Sequence, residues 1–285
     1  MITYFNGAFC PKEDVSISPD DRGFLFADGV YEVLASFDGD LFAPQAHYER
    51  LARSLHAIDL TTPEGEVHET VTALPEVLPE LLVRNELQDG HAKIYLQVTR
   101  GAAPRKHAFP ESPVPPTVYA TASPYTLPEA KWEQGVRVIL HPDLRWARCD
   151  IKSVALLPAI LANQQAQEAG AFEAVLHREG VITEGSHTTV AAVVDGTVVT
   201  HPLTQQILPS ITRQVMLELC DRIDRPVREY PVRLDELPEV DELMVWGTTS
   251  GVMPVVAVDD WTVGAGQPGP VTRQLQAAFR EHASI

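Results

Sequence analysis

A chain of 285 residues, 45% hydrophobic and 21% charged, without low-complexity tracts or internal repeats, is material for one large or two ordinary folded domains and excludes disorder and solenoids. Its 39 acidic against 22 basic side chains leave a net charge of -17, which argues against nucleic acid or an anionic membrane surface as partner and for a small molecule. No run of about 18 apolar residues could span a bilayer, and MITYFNGAFC lacks the basic and apolar regions of an export signal, so a soluble cytoplasmic protein is expected.

Cys10, Cys149 and Cys220 are widely spaced with no CxxC pair, and read as free thiols; no metal site is expected. The first forty residues read as short strands, ITYFNG and then GVYEVLASF, up to a turn at Asp38-Gly39-Asp40. Residues 44–58 read as a helix with Pro44 in its first turn and Leu51, Leu55 and Ile58 on one face. A second helical stretch runs over about 65–87, interrupted by Pro75 and Pro79. HAKIYLQVTRG alternates Ile94, Leu96 and Val98 with Tyr95 and Gln97, as a strand does.

A proline-rich loop and the strand TVYATAS follow, and SPYTLPEAKWEQ has the composition of an interdomain connection. The expected division is a smaller α+β domain over 1–122, a linker over 123–130 and a larger domain over 131–285. Beyond the linker, strands GVRVILH, FEAVLH, TVAAVV, TVVTH, ELMVWG and VVAVD alternate with helices near 156–169, 211–223 and 270–282, an α+β pattern.

Of the five lysines, only Lys152 stands directly before an apolar helical run, where a solvated ammonium would be out of place. Burial favours the neutral amine and so a nucleophile suited to Schiff-base chemistry; a snorkelling lysine at a strand end fits the position as well. Glu184 in VITEGSHTT reads either as a surface-turn carboxylate or as the partner that keeps a pyridine nitrogen protonated. In ILPSITR, Ser210 is placed to cap a helix beginning at Ile211 and Thr212, whose free amides suit a phosphate, and Thr248, Thr249 and Ser250 form a second hydroxyl-rich strand end. Arg50 lies on the helix of residues 44–58, and Arg105, Lys106 and His107 cluster in a loop; each reads as an anion site or as a solvated cation.

RGFLFADGVYEV, the ERL helix, TRGAAPRKHAFP, RWARCDIKSVALLPAILA, AFEAVLHR, ITEGS, ILPSITR and TTSGVMPV occur in the order and spacing of the D-amino acid aminotransferases, and through nearly its whole length the chain resembles this class IV branch of pyridoxal-phosphate enzymes. The resemblance implies a two-domain α+β fold of type IV with pyridoxal 5'-phosphate in the interdomain cleft, assembled as a homodimer. Lys152 would carry the cofactor as a Schiff base and shuttle protons. Glu184 would hold the pyridinium, while Arg50, Ile211, Thr212 and Thr248 would hold the phosphate. Tyr31, Arg105 and His107 would grip the substrate carboxylate, the last two from the neighbouring subunit.

The implied reaction is ping-pong transfer of nitrogen from D-amino acids, D-alanine and D-glutamate first among them, to 2-oxo acids such as 2-oxoglutarate or pyruvate. Rivals on the same fold are a branched-chain L-amino acid or amine transaminase and an aminodeoxychorismate lyase; a rival of another class is a binding protein without chemistry. Arg105 and His107 favour the D-amino acid branch over the branched-chain enzyme and the lyase. Two departures from the family pattern lie near the implied cofactor site: His187-Thr188-Thr189, where many relatives carry serines and an asparagine, and Gly247, where a serine is frequent.

Overall fold

Alternation in HAKIYLQVT builds the middle of the first sheet: Ala92, Ile94, Leu96 and Val98 are buried, Lys93 is exposed, and Tyr95 and Gln97 are half-buried. The computed structural model describes residues 1–62 and 64–285. The chain divides into one unit of Met1–Thr126 with Ile151–Ala155 and another of Leu127–Asp150 with Leu156–Ile285.

The first unit contains β1 (Ile2–Phe5), β2 (Ala8–Pro11), α1 (Arg22–Phe26), β3 (Gly29–Phe37), β4 (Asp40–Leu41), α2 (Pro44–Ala57), α3 (Glu69–Thr72), α4 (Leu74–Arg84), β5 (His91–Thr99) and β6 (Thr117–Pro124). Its strands form an antiparallel sheet in the order β2-β1-β6-β5-β3-β4. Val30, Leu34, Ile94, Leu96, Val98 and Val118 from the sheet form one core with Leu51 and Leu55 of α2 and Leu74, Leu78, Leu81 and Leu82 of α4.

The second unit contains α5 (Glu129–Gln134), β7 (Val136–Pro142), α6 (Leu157–Glu168), β8 (Glu173–Arg178), β9 (Val181–Gly185), β10 (Thr189–Val194), β11 (Thr197–Thr200), α7 (Ile211–Arg222), β12 (Val227–Glu229), β13 (Glu242–Gly247), β14 (Gly251–Val258), β15 (Trp261–Thr262) and α8 (Pro270–Ala283). Its mixed sheet runs β12-β11-β10-β13-β14-β7-β8-β9, with β15 on β14. Strand β7 is parallel to both β14 and β8, and Val138, Val175, Val190, Val245, Met253 and Val255 centre the core. The class is α+β, as expected from the sequence. No helix among the described residues is long and apolar enough to cross a membrane.

Several local expectations change. The first forty residues include a short helix, α1, whose cap is the Asp21 side chain accepting from the Gly23 amide at 2.8 Å. The stretch over 65–87 becomes two helices: Pro75 lies in the first turn of α4, and Pro79 lies inside it on its exposed side. The segment expected as a linker, 123–130, ends β6 and opens α5 at Glu129.

Residues 151–155, assigned by sequence to the larger domain, cluster with the first unit instead. The cause is backbone pairing at the edge of β3: the Tyr31 amide donates to the Lys152 carbonyl at 3.0 Å and the Val154 amide to the Gly29 carbonyl at 3.1 Å. The apolar run after Lys152 also differs from expectation. In α6 the buried face is Ala159, Ala162 and Ala166, while Leu157, Ile160 and Leu161 are 65%, 57% and 55% exposed. The setting of Lys152 within its unit comes from β3 and α2.

Candidate active site

Lys152 is half-buried, with Nζ 4.1 Å from the centre of the Tyr31 ring and its amide donating to Ser54 Oγ of α2 at 3.3 Å. Tyr31 in turn stacks on Tyr95, ring centres 6.1 Å apart. One residue on, Glu32 points to the buried side of β3 and accepts from Arg50 Nε and Nη2, both at 2.7 Å, and from His47 Nδ1 at 2.7 Å. His47 and Arg50 lie on one face of α2, a turn apart. Burial alone would raise the Glu32 pKa, but Arg50 and His47 outweigh it and bring the carboxyl down to about 2. Burial keeps the His47 imidazole neutral by lowering its pKa. Arg50 is thus fixed by a two-pronged bond to a carboxylate on the strand that carries Tyr31.

Arg105 and His107 come together on the Phe26 ring, with the Arg105 guanidinium 5.3 Å and the His107 ring 5.6 Å from its centre. Both are exposed, and among the described residues neither makes a salt bridge. A guanidinium and an imidazole, side by side in a chain of net charge -17 and without a salt bridge to a carboxylate among the described residues, suit an anionic ligand.

In the second unit Glu184 stands near the end of β9 and is 5% exposed. Arg145 Nη1 donates to it, and so does the Leu208 amide, at 3.1 Å to Oε2. Arg145 also donates to both oxygens of Asp143, at 2.9 and 2.8 Å, and to the Gln206 carbonyl at 3.2 Å. One guanidinium therefore serves two buried carboxylates, and Asp143 has the larger share. Burial penalises both acids; hydrogen bonds from Arg145 overcome it for Asp143, whose pKa is lowered, while for Glu184 burial prevails and the pKa is raised. Nearby, burial pushes the Cys149 thiol up to about 11, which leaves it a poor nucleophile at neutral pH.

The turn after Glu184 wraps around a second buried carboxylate, Glu173. It accepts from Ser186 Oγ at 2.5 Å and Thr188 Oγ1 at 3.0 Å, and pairs with His187 Nδ1 at 2.9 Å. A Cβ at Gly185 would run into the Thr188 hydroxyl, so a side chain there would displace Thr188 from Glu173. The two departures from the family pattern meet: a Cβ at Gly247 would lie 3.4 Å from the Thr188 methyl.

Ser210 caps α7 by accepting from the Arg213 amide at 3.2 Å, and the amides of Ile211 and Thr212 begin the helix as donors outside its ladder. Thr212 is buried, and Thr248 stands half-buried in the turn between β13 and β14. Tyr31, Arg50, Arg105, His107 and Lys152 thus belong to the first unit, and Glu184, Ile211, Thr212 and Thr248 to the second.

Sequence reasoning missed Glu32, His47, Arg145, Glu173 and Leu208. The first two left a signal: Glu32 shares the strand phase of buried Val30 and Leu34, and His47 shares the face of Leu51 and Leu55. Arg145 left little, because it meets Glu184 across a separation of 39 residues from a stretch without helix or strand.

Residues 29–258 match the amino-transferase class IV family. The chain is 40% identical over 279 residues to the D-alanine aminotransferase of Staphylococcus epidermidis, covering 98% of this chain and 96% of that one. It is 41% identical over 282 residues to the D-alanine aminotransferase of Bacillus licheniformis, with the same shares covered. Among solved structures, the Escherichia coli branched-chain amino acid aminotransferase superposes with a TM-score of 0.89 at 25% identity, covering 98% of this chain and 93% of that one. A second branched-chain amino acid aminotransferase, from T.th. and complexed with N-(5'-phosphopyridoxyl)-L-glutamate, gives 0.85 at 24% identity over 99% and 94%, a likeness of fold alone. With a family match over most of its length and relatives near 40% identity over nearly all of it, the chain belongs to the class IV amino-transferases.

Proposed function

We propose that this protein is a pyridoxal 5'-phosphate-dependent D-amino acid aminotransferase, a cytoplasmic homodimer that passes nitrogen from D-alanine or D-glutamate to 2-oxoglutarate or pyruvate by a ping-pong mechanism. The observation that carries the reading is Glu184, a buried carboxylate that shares its guanidinium with Asp143 and whose pKa is raised by burial. A second cation beside it would complete its compensation, and a protonated ring nitrogen is such a cation. The capped start of α7 fits the phosphate of the same cofactor.

Bound pyridoxal phosphate supplies an aldehyde that takes the amino group and a ring that accepts the electrons left when the α-proton departs. Lys152 would hold the cofactor through its aldehyde and, once displaced by the incoming amino group, would serve with its freed amine as the base for the substrate Cα proton. Glu184, which accepts from Arg145 and the Leu208 amide, would hold the proton of the ring nitrogen. Ile211 and Thr212 through their amides, the Thr212 hydroxyl, Thr248 and Arg50 bind the phosphate. Glu32 fixes the Arg50 fork so that binding costs little reorganisation. Tyr31, Arg105 and His107 bind the substrate α-carboxylate, the last two from the second subunit.

The D-amino acid reading leans on relatives that bear that name at about 40% identity, and on Arg105 and His107 standing together on Phe26. An initial-rate survey of D- and L-amino acids with 2-oxoglutarate and pyruvate tests it. Turnover of D-alanine and D-glutamate is expected, and a preference for branched-chain L-amino acids would reject it.

A further inference from the structure

The loop between β5 and β6 spans residues 100–116 with no helix or strand of its own, yet it carries Arg105 and His107, and long irregular loops place side chains poorly unless something holds them. Here the Asp21-Arg22 pair holds it from end to end. Asp21 accepts from Thr99 Oγ1 at 2.8 Å and from Thr117 Oγ1 at 2.5 Å, so one carboxylate closes both ends of the loop. The Arg22 amide donates to the Gly101 carbonyl at 2.9 Å. Gly101 itself has a left-handed φ of +86°, and a Cβ there would run into the Pro115 carbonyl, which brings the two limbs together.

The Arg22 side chain reaches the functional part of the loop. It is buried, and Nη1 donates to the carbonyls of Lys106 at 2.7 Å and Ala108 at 3.2 Å, while Nη2 donates to that of His107 at 3.3 Å. Its Nε donates to Asp28 Oδ2 at 2.7 Å. Asp28 is shared with Arg100, whose Nε lies 2.8 Å and Nη2 3.0 Å away and whose guanidinium lies 3.6 Å from the centre of the Phe109 ring. Three consecutive carbonyls, those of residues 106–108, are thus gathered on one planar fork, and that fork is aimed by a carboxylate braced from its other side. No lysine could serve the three carbonyls and Asp28 at once, because its donors radiate from one atom.

We propose that Arg22 is a positioning residue for the carboxylate-binding loop: it touches no substrate, and it sets where Arg105 and His107 are presented. This rests on the reading of those two residues given above. Loosening the fork should spread the loop over many positions, so the amino acid substrate loses its anchor while the chemistry at Lys152 is left alone. The consequence is a raised KM with little change in kcat.

The test uses the cofactor-loaded enzyme with Arg22→Lys, Arg105→Ala and the double variant, and measures D-alanine kinetics together with amide hydrogen exchange of the peptides covering residues 101–116. The expected result is a KM at least about tenfold higher in Arg22→Lys, with kcat within about twofold, faster exchange in that loop, and a double variant no worse than Arg105→Ala. Phe109→Ala, at a half-exposed side chain, should move the same quantities in the same direction, and it serves if Arg22→Lys fails to fold. Effects of Arg22→Lys and Arg105→Ala that multiply independently, or unchanged loop exchange, would overturn the proposal. A normal KM in Arg105→Ala would instead reject the carboxylate reading, and the exchange data would still decide whether Arg22 fixes the loop.

Discussion

Glu184 receives one prong of Arg145, while Asp143 receives two. The inequality raises the Glu184 pKa by burial and lowers that of Asp143. In the cofactor-free protein the sign is clear: a carboxyl whose folded pKa lies above its unfolded value stabilises the fold at acid pH and ceases to do so as pH rises through the folded pKa. Glu184→Gln removes that penalty and keeps an acceptor for the Leu208 amide. The cofactor-free variant should therefore be at least as heat-stable as the parent at neutral pH. Loaded with cofactor, it should run the half-reaction about a hundredfold slower in single-turnover experiments, because an amide cannot hold the ring proton. An unchanged rate would remove Glu184 from the mechanism.

Lys152→Ala should fold, because the segment is held by its backbone: the Lys152 carbonyl accepts from Tyr31 and the Val154 amide donates to Gly29. Turnover should fall by more than about a thousandfold as the nucleophile and base are lost together, and the visible absorbance of the bound cofactor should disappear. Circular dichroism would show the fold intact. Activity within about tenfold of the parent would mean that another group takes the α-proton.

The architecture is readable where burial follows local period. In β5 the alternation marks the strand, and Leu51 and Leu55 mark the inward face of α2. The same logic misleads at α6, where the helix lays Ala162 and Ala166 against Ala174 and Leu176 and turns its larger apolar side chains outward. Small residues there allow close approach to β8, so the hydrophobic residues do not mark the buried face. Lys152 stands out among the lysines in the sequence, but its setting is non-local: β3 lies some 120 residues earlier, and no pattern in RCDIKSVALL announces pairing with it. The meeting of Thr188 and Gly247 is hidden for the same reason, although each stands out singly in the sequence.

Glu32 makes the protein sensitive to acid in a defined window. Its folded pKa, brought down to about 2 by Arg50 and His47 against the cost of burial, lies below the ordinary 4.5. Its contribution is therefore complete above pH 4.5 and is lost as pH falls towards 2, in all roughly 3 kcal/mol. His47, with a lowered pKa, acts in the same direction as pH falls below 6.5. Glu32→Gln should lower stability at neutral pH and flatten its pH dependence between 4.5 and 2, as read from urea unfolding at several pH values. A variant as acid-sensitive as the parent would show that the Glu32 network does not set the acid limit.

Gly247 can accept a side chain in the cofactor-free protein. Its φ lies outside the left-handed region, and an added Cβ would meet the Thr188 methyl at 3.4 Å and Ser250 at 3.6 and 3.7 Å, distances of ordinary contact. Gly247→Ala should stabilise the cofactor-free protein by about 0.5 kcal/mol, because the unfolded chain loses freedom and the folded one is not strained. A fall in melting temperature would show that Thr188, held by Glu173 at 3.0 Å, cannot yield even slightly.

Arg105 and His107 are exposed and without a salt bridge among the described residues, presented on Phe26 by a braced loop. If they bind the substrate carboxylate of the neighbouring subunit, a single chain has an incomplete site, and two defective chains can repair one another. Arg105→Ala removes a two-pronged carboxylate partner and should weaken substrate binding, and Lys152→Ala removes the base. In a heterodimer of the two variants with Arg105 acting across the interface, one site combines both lesions and the other contains none. Activity should then return to about a quarter of the parental value in a randomly reassorted equimolar mixture, since half the dimers are mixed and each has one intact site. With Arg105 acting within its own chain, every site keeps one lesion, and at a D-alanine concentration far below the KM of Arg105→Ala the mixture stays at the low residual rate of that variant. Native mass spectrometry of the same sample establishes that mixed dimers are present, so the absence of any recovery at that concentration in a sample that contains them would reject the shared site.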